Sequence, residues 1–201
     1  MQNSPHLGNL FVISGPSGVG KDTLVARIFN DNKILNQVKL QKSTSVTSRK
    51  PRKGEIEGRD YFFRSKENIK NMIKNNELLE WNEYAGNIYG TPKFFIEQQL
   101  SKCKNTLLCI DVNGAMNVKR YYQNSKLIFI MPPSLKILKN RLKNRGTDNP
   151  DQIEKRLDIV KSELRFKDKF DKIVVNDKLD IASKEVVDFI YKSCKITNSC
   201  K

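Results

Sequence analysis

Leu10-Phe11-Val12-Ile13-Ser14-Gly15-Pro16-Ser17-Gly18-Val19-Gly20-Lys21 is the stretch that decides the fold. The apolar run from Leu10 to Ile13 reads as a buried parallel strand. GPSGVGK behind it fits the pattern G-x-x-x-x-G-K, and Thr23 to Phe29 starts well as a helix. Strand, glycine loop and helix in this order make a phosphate cradle. Gly15, Gly18 and Gly20 let the backbone take positive φ and wrap an anion. The exposed N–H groups and the helix N-terminus then face the phosphates, and Lys21 adds a point charge. The loop has one irregularity. The pattern has Ser or Thr after the lysine as a magnesium ligand, and this chain has Asp22, with Thr23 one place later. A carboxylate suits a hard cation that takes oxygen ligands. It repels polyphosphate unless the metal lies between them. The plainer reading of Asp22 is a first-turn acid that complements the helix dipole.

The composition bounds the rest. A length of 201 residues suits one α/β domain with insertions. No apolar stretch approaches the roughly 20 residues that span a membrane. Met1 to His6 is not a basic start leading into a long apolar segment, so no secretory signal and a cytoplasmic location are expected. Cys103, Cys109, Cys194 and Cys200 form no C-x-x-C pair, which fits a reducing compartment. The single histidine, His6, lies in an N-terminal arm, which argues against histidine base chemistry. A phosphate acceptor needs no base, because its second pKa is roughly 6. The net charge of +15 is spread along the chain rather than packed into one stripe, so most lysines read as solvated surface. No specific nucleic-acid surface is expected. The arginines cluster, and function attaches to them.

Apolar runs at Leu10 to Ile13, Leu107 to Ile110, Leu127 to Met131 and Lys172 to Val175 read as central strands with helices between them. They imply a parallel sheet covered by helices, with the site at the strands' carboxyl ends. Residues 44–91 break the alternation. Short strand-like pieces (Tyr61 to Phe63, Leu78 to Trp81, Asn87 to Tyr89) surround a helix from Lys66 to Asn75 and read as an inserted lobe. Residues 136–165 read as a helix–turn–helix flap able to close over a site and exclude water.

Further residues carry chemistry. Asp111 ends a strand near the loop, where a carboxylate can approach Mg²⁺. Arg49-Lys50-Pro51-Arg52 presents two guanidinium forks suited to phosphate, and Tyr61 follows with a hydroxyl. Glu80 can accept both donors of a guanine edge, and a hydroxyl such as Ser45 or Thr91 can meet the other edge. Trp81 and Tyr84 read as ordinary packing in the lobe. Arg141, Arg145 and Arg156 in the flap can reach a transferring phosphoryl group, although a solvated basic face is the commoner meaning of such a run.

Taken together these motifs resemble the guanylate kinases. The likeness runs from about Leu10 to Phe189 and rests on GPSGVGKDTL, TSRKPRKGEIEGRDYFF, IKNMIKNNELLEW, GNIYGT, IDVNG, IMPPS, RLKNRGT and IVVND. The resemblance implies a P-loop NTPase fold: a three-layer α/β/α core with a parallel sheet, an inserted small mixed α/β GMP-binding lobe and a helical lid. The implied domain covers 8–189, with core 8–43, 92–135 and 166–189, lobe 44–91, lid 136–165 and a tail at 190–201. It implies transfer of the γ-phosphate of ATP, with Mg²⁺, to GMP and dGMP in purine metabolism and GMP recycling.

The implied ATP-binding residues are Gly15, Pro16, Ser17, Gly18, Val19, Gly20, Lys21, Asp22 and Thr23, with Asn176 near the adenine. Those for GMP are Ser45, Arg49, Arg52, Tyr61, Glu80, Tyr89, Thr91 and Asp111. Lys21, Arg49, Arg141, Arg145 and Arg156 are the implied catalytic set, and Asp22 and Asp111 the metal candidates. Monomer and homo-oligomer stay open, and no membrane partner is implied. Two departures stand out: Asp22 for the family's Ser or Thr, and Cys109 where the family has an acid two residues before the strand-end aspartate. Asp22 is expected to compensate in part at the magnesium. The competing readings are a binding module without catalysis, a kinase for another monophosphate, and a basic nucleic-acid binder.

Overall fold

A computed structural model describes residues 8–31, 35, 38–84, 86–144 and 150–196. The strands are β1 (Leu10–Ser14), β2 (Leu40–Lys42), β3 (Ser45–Thr47), β4 (Tyr61–Phe63), β5 (Leu78–Tyr84), β6 (Asn87–Pro92), β7 (Asn105–Cys109), β8 (Lys126–Met131) and β9 (Lys172–Val175). The helices are α1 (Lys21–Phe29), α2 (Lys66–Lys74), α3 (Lys93–Ser101), α4 (Val112–Tyr121), α5 (Leu135–Asn144), α6 (Pro150–Leu164) and α7 (Leu179–Ile196).

β1 is buried along its whole length and lies at the centre of a five-stranded sheet in the order β2-β7-β1-β8-β9. Every pairing in this sheet is parallel. Alternate side chains of β1 feed opposite layers, as the two-residue strand period requires. Phe11 and Ile13 join Leu24, Val25 and Ile28 of α1 and Ala182, Val186 and Ile190 of α7. Leu10 and Val12 join Phe95, Ile96 and Leu100 of α3 and Val112, Ala115 and Val118 of α4. A strand apolar on both faces therefore carries helices on both, which is the three-layer α/β/α core. Each fully buried large side chain contributes about 1.5–3 kcal/mol, so this double core dominates the stability.

Crossovers leaving β1 and β7 travel to opposite sides of the sheet. β1 leads through α1 to edge strand β2, and β7 leads through α4 to β8 on the far side of β1. The crevice at that reversal, beyond the carboxyl ends of β1 and β7, is where open α/β sheets bind ligands.

The lobe forms a second, mixed sheet in the order β4-β3-β6-β5. β3 pairs with β4 in parallel and with β6 antiparallel, and β5 pairs antiparallel with β6. Its own core is small: Val46, Ile69, Leu78 and Ile88. Helix α2 starts at an N-cap, where the Ser65 side chain accepts from the Asn68 backbone N–H. The flap helices α5 and α6 share another small cluster of Leu138, Leu142, Ile153, Leu157 and Val160.

Two short strands go beyond the sequence reading. β2 and β3 have three residues each, too short to show an alternation. The second of the expected central strands, β7, ends at Cys109 rather than Ile110. Trp81 is corrected: it is 51% exposed rather than packed in the lobe. The register of β5 against β6 shifts between Leu78 and Trp81. Leu78, Leu79 and Glu80 are consecutively buried there, and Trp81 then turns outward. A bulge re-aims side chains in this way. Tyr84's side chain lies outside the described residues.

Candidate active site

The glycine loop leaves β1 as expected. Gly15, Gly18 and Gly20 have φ of +139°, +83° and +91°. A Cβ at Gly15 would stand 2.2 Å from the Ile130 carbonyl oxygen, a backbone atom that cannot move aside. Gly20 caps α1 in the left-handed conformation. Lys21 Nζ donates to the carbonyls of Gly15 at 2.6 Å and Pro16 at 3.0 Å, so the ammonium arches over its own loop. Val19 anchors the loop by burying its side chain in the core. Ser17, Asp22 and Thr23 are exposed.

Asn176 follows β9 and is buried. The resemblance places it near an adenine, and here its Nδ2 donates to the Val19 carbonyl at 2.8 Å. Its own carbonyl accepts from Arg141 Nη2 at 3.0 Å. One buried residue, through its side-chain amide and its main-chain carbonyl, thus ties the loop, β9 and the flap together. A Cβ at Gly18 would stand 2.7 Å from Leu142 Cδ2, so α5 rests directly on the loop. Arg156 on α6 is half-buried. Arg145 lies outside the described residues.

The two departures from the family pattern meet in space. Cys109 Sγ lies 3.8 Å from Asp22 Oδ1. Burial, and then the charge of Asp22, push the Cys109 thiol up to about 12. It therefore stays protonated and donates to the carboxylate. Both line a cavity of about 90 Å³, together with Ser45, Tyr61 and Thr91. A larger groove, about 760 Å³, runs along α4 past Asn117, Arg120 and Phe166, and no predicted site residue lines it.

Arg49 and Tyr61 form an organised cationic corner. Arg49 makes a two-pronged pair with Glu55, at 3.0 and 2.8 Å. The Arg52 backbone N–H donates to Glu55 Oε2 at 2.7 Å. Arg49 also hydrogen-bonds Tyr89 and stacks 5.4 Å over the Tyr61 ring. The bond from Arg49 holds the Glu55 carboxyl below its usual range. Glu55 was missed in the sequence because attention went to the cations; its signal is the acid six residues after Arg49. The Arg52 side chain is exposed.

Glu80 is buried, with Thr91 Oγ1 donating to its Oε1 at 2.5 Å. Burial pushes its carboxyl up to about 7, assisted by the charge of Asp111 and opposed by the Thr91 bond. Gly114 packs closely beside it: a Cβ there would stand 3.2 Å from Glu80 Oε2. Asp111 already has work: Oδ1 caps α4 by accepting from the Gly114 N–H at 2.7 Å, and Oδ2 accepts from Asn82 Nδ2 at 3.1 Å. Of the two metal candidates, Asp22 is the freer.

Glu163 on α6 is a second residue the sequence reading missed, an acid in a flap read for its arginines. It accepts from the backbone N–H of Ser17, and its Oε2 is buried without a hydrogen-bond partner. That orphaned oxygen and the exposed Asp22 carboxylate are hard donors that fit magnesium. No group of three or more His, Cys, Asp or Glu among the described residues could hold a metal alone. No helix among the described residues is long and apolar enough to cross a membrane.

Comparison with known proteins points to one family. A profile described as guanylate kinase matches residues 7–193. The guanylate kinase of Bacillus anthracis is 45% identical over 179 residues, covering 89% of this chain and 85% of that one. That of Parasynechococcus marenigrum (strain WH8102) is 46% identical over 176 residues, covering 88% and 94%. The crystal structure of guanylate kinase from Anaplasma phagocytophilum superimposes with a TM-score of 0.68 at 31% identity, covering 93% of this chain and 86% of that one. With a glycine loop leaving a buried parallel strand, a family profile over residues 7–193 and relatives of this similarity over most of its length, the chain belongs to the guanylate kinase family.

Proposed function

We propose that this protein transfers the γ-phosphoryl group of ATP to GMP, giving ADP and GDP. The observation that carries the choice of acceptor is the buried Glu80 carboxylate with Thr91 beside it. A guanine edge offers two donors to that carboxylate, and adenine presents an acceptor at the same ring nitrogen. Mispairing buried polar groups is what penalises the wrong base. Ser45, which shares the small cavity with Thr91, would meet the guanine's acceptor edge.

Arg49, Arg52, Tyr61 and Tyr89 would hold the GMP phosphate, with Glu55 keeping the Arg49 fork in one orientation. The loop from Gly15 to Lys21, with Thr23 behind it, would hold the phosphates of ATP. A GMP phosphate oxygen, already ionised at neutral pH, attacks the γ-phosphorus. Its new P–O bond forms as the bond to the bridging β–γ oxygen breaks, and ADP leaves with that electron pair. Charge on the transferring group falls to Lys21, Arg49, Arg141, Arg145 and Arg156.

Magnesium, held by Asp22 and the donor phosphates, would neutralise charge and align the chain of phosphates. Asp111 would act mainly on the GMP side, beside Glu80. The lobe 44–91 and lid 136–165 would close to exclude water. dGMP belongs to the same proposal because no group named here reads the ribose, and so do a cytoplasmic setting and a place in purine nucleotide metabolism. The test is release of ADP from ATP with GMP, dGMP, AMP, UMP or CMP as acceptor. GMP and dGMP are expected to lead, and a preference for AMP would overturn the pocket assignment.

A further inference from the structure

We infer that Glu163 makes the donor site selective for magnesium-bound ATP over free ATP, by placing a lid carboxylate on the Ser17 amide of the phosphate loop. The inference deepens the proposed function and rests on the assignment of the glycine loop to ATP.

Glu163 sits near the C-terminal end of α6, in the flap. Its carboxylate accepts from the Ser17 N–H, one of the loop donors a phosphate oxygen would use. Oε2 is buried with no hydrogen-bond partner. Burial raises its carboxyl above the usual range; of the charges that act on it, Lys21 favours its ionised form and Asp111 opposes it. Lys21 itself is bonded to the Gly15 and Pro16 carbonyls. The flap thus brings a negative group with spare acceptor capacity to the loop that is to receive a polyanion.

Two like charges at short range repel, and the repulsion grows as water is excluded. Free ATP meets Glu163 with its full polyphosphate charge. The magnesium complex brings a dication, and an orphaned carboxylate oxygen attracts it directly or through its water shell. The same side chain therefore works against one form of the donor and for the other.

The experiment is calorimetric titration of ATP, without GMP so that no turnover occurs, into wild type, Glu163→Gln and Glu163→Ala. Each is run once in excess chelator and once in excess magnesium. Both variants are expected to bind free ATP about tenfold more tightly than wild type, while the magnesium complex binds no better or more weakly. The ratio of the two dissociation constants then moves toward one. A gain in affinity for the free nucleotide is not something a loosened fold produces. An unchanged ratio in both variants, whatever the common change in affinity, overturns the inference. Wild type that binds neither form would remove the donor-loop assignment, and this inference with it.

Discussion

In the proposed reaction the donor loop and the acceptor lobe would solve the same problem, holding a phosphate, by opposite means. The donor loop is main chain: three glycines at positive φ, braced by Asn176 and seated on the most deeply buried strand of the protein. The acceptor corner is side chain: Arg49 held by Glu55, Tyr61 and Tyr89 on a mixed sheet with a core of four residues. Backbone amides are preorganised by the fold itself. Guanidinium forks must be preorganised by partners. The loop therefore depends on few side chains besides Lys21, whereas the corner depends on a chain of them, each replaceable at graded cost.

Six substitutions test this contrast, beginning with the largest effect. Lys21→Ala removes the loop's single mobile charge. Turnover is expected to fall by about 10³-fold with the melting temperature nearly unchanged, and turnover within a few-fold of wild type would remove Lys21 from the mechanism. Arg49→Ala is expected to cost about 10²-fold in kcat/KM for GMP, and Glu55→Gln about tenfold, mostly through KM. Equal losses from both would mean that Glu55 does more than orient the arginine.

Glu80→Gln separates base recognition from phosphate binding. Guanine preference over adenine is expected to shrink by about 10–100-fold, since an amide presents a donor as well as an acceptor. It also changes the pH response. GMP binding needs the ionised carboxylate, so wild-type affinity is expected to weaken as pH falls below about 7. In the variant only the phosphate titration, with pKa roughly 6, remains; guanosine as a comparison ligand isolates the Glu80 part. Stability moves the other way. The folded carboxyl lies above the ordinary value of 4.5, so its contribution is full below that value and is lost as pH rises through about 7. Chemical denaturation should find Glu80→Gln gaining on wild type by roughly 2–3 kcal/mol across that window. A flat difference would place Glu80 in a wetter environment than its burial implies.

The smallest effect concerns the pair at the boundary of the two regions. Asp22→Ser and Cys109→Asp are each expected to change activity several-fold and to shift the magnesium titration. The double variant should depart from additivity by about 1 kcal/mol, because the two side chains touch. An Asp22→Ser variant with unaltered activity and magnesium dependence would end the idea of compensation.

Legibility in the sequence follows the same division. The glycine loop was readable because positive φ, a buried strand and a helix start are local demands that particular residues meet. Arg49, Arg52 and Tyr61 were readable as one short segment, and Glu80 through the chemistry of guanine. Trp81 was misread because a bulge breaks the alternation of β5. Strands β2 and β3 are too short to carry a period. Asn176 was placed by analogy with a nucleotide, while its amide is bonded to the loop.

The amino-acid order alone determined the phosphate cradle, the double-sided parallel core and the lobe that carries the arginines, since each rests on interactions within a few residues or on one strand's burial. Tertiary structure alone decided which carboxylates matter and to whom. Glu55 under Arg49, Cys109 against Asp22 and Glu163 on the Ser17 amide are meetings of side chains on different segments. Their proximity is a product of packing, and in charged groups it is distance and burial, more than residue type, that set the energy.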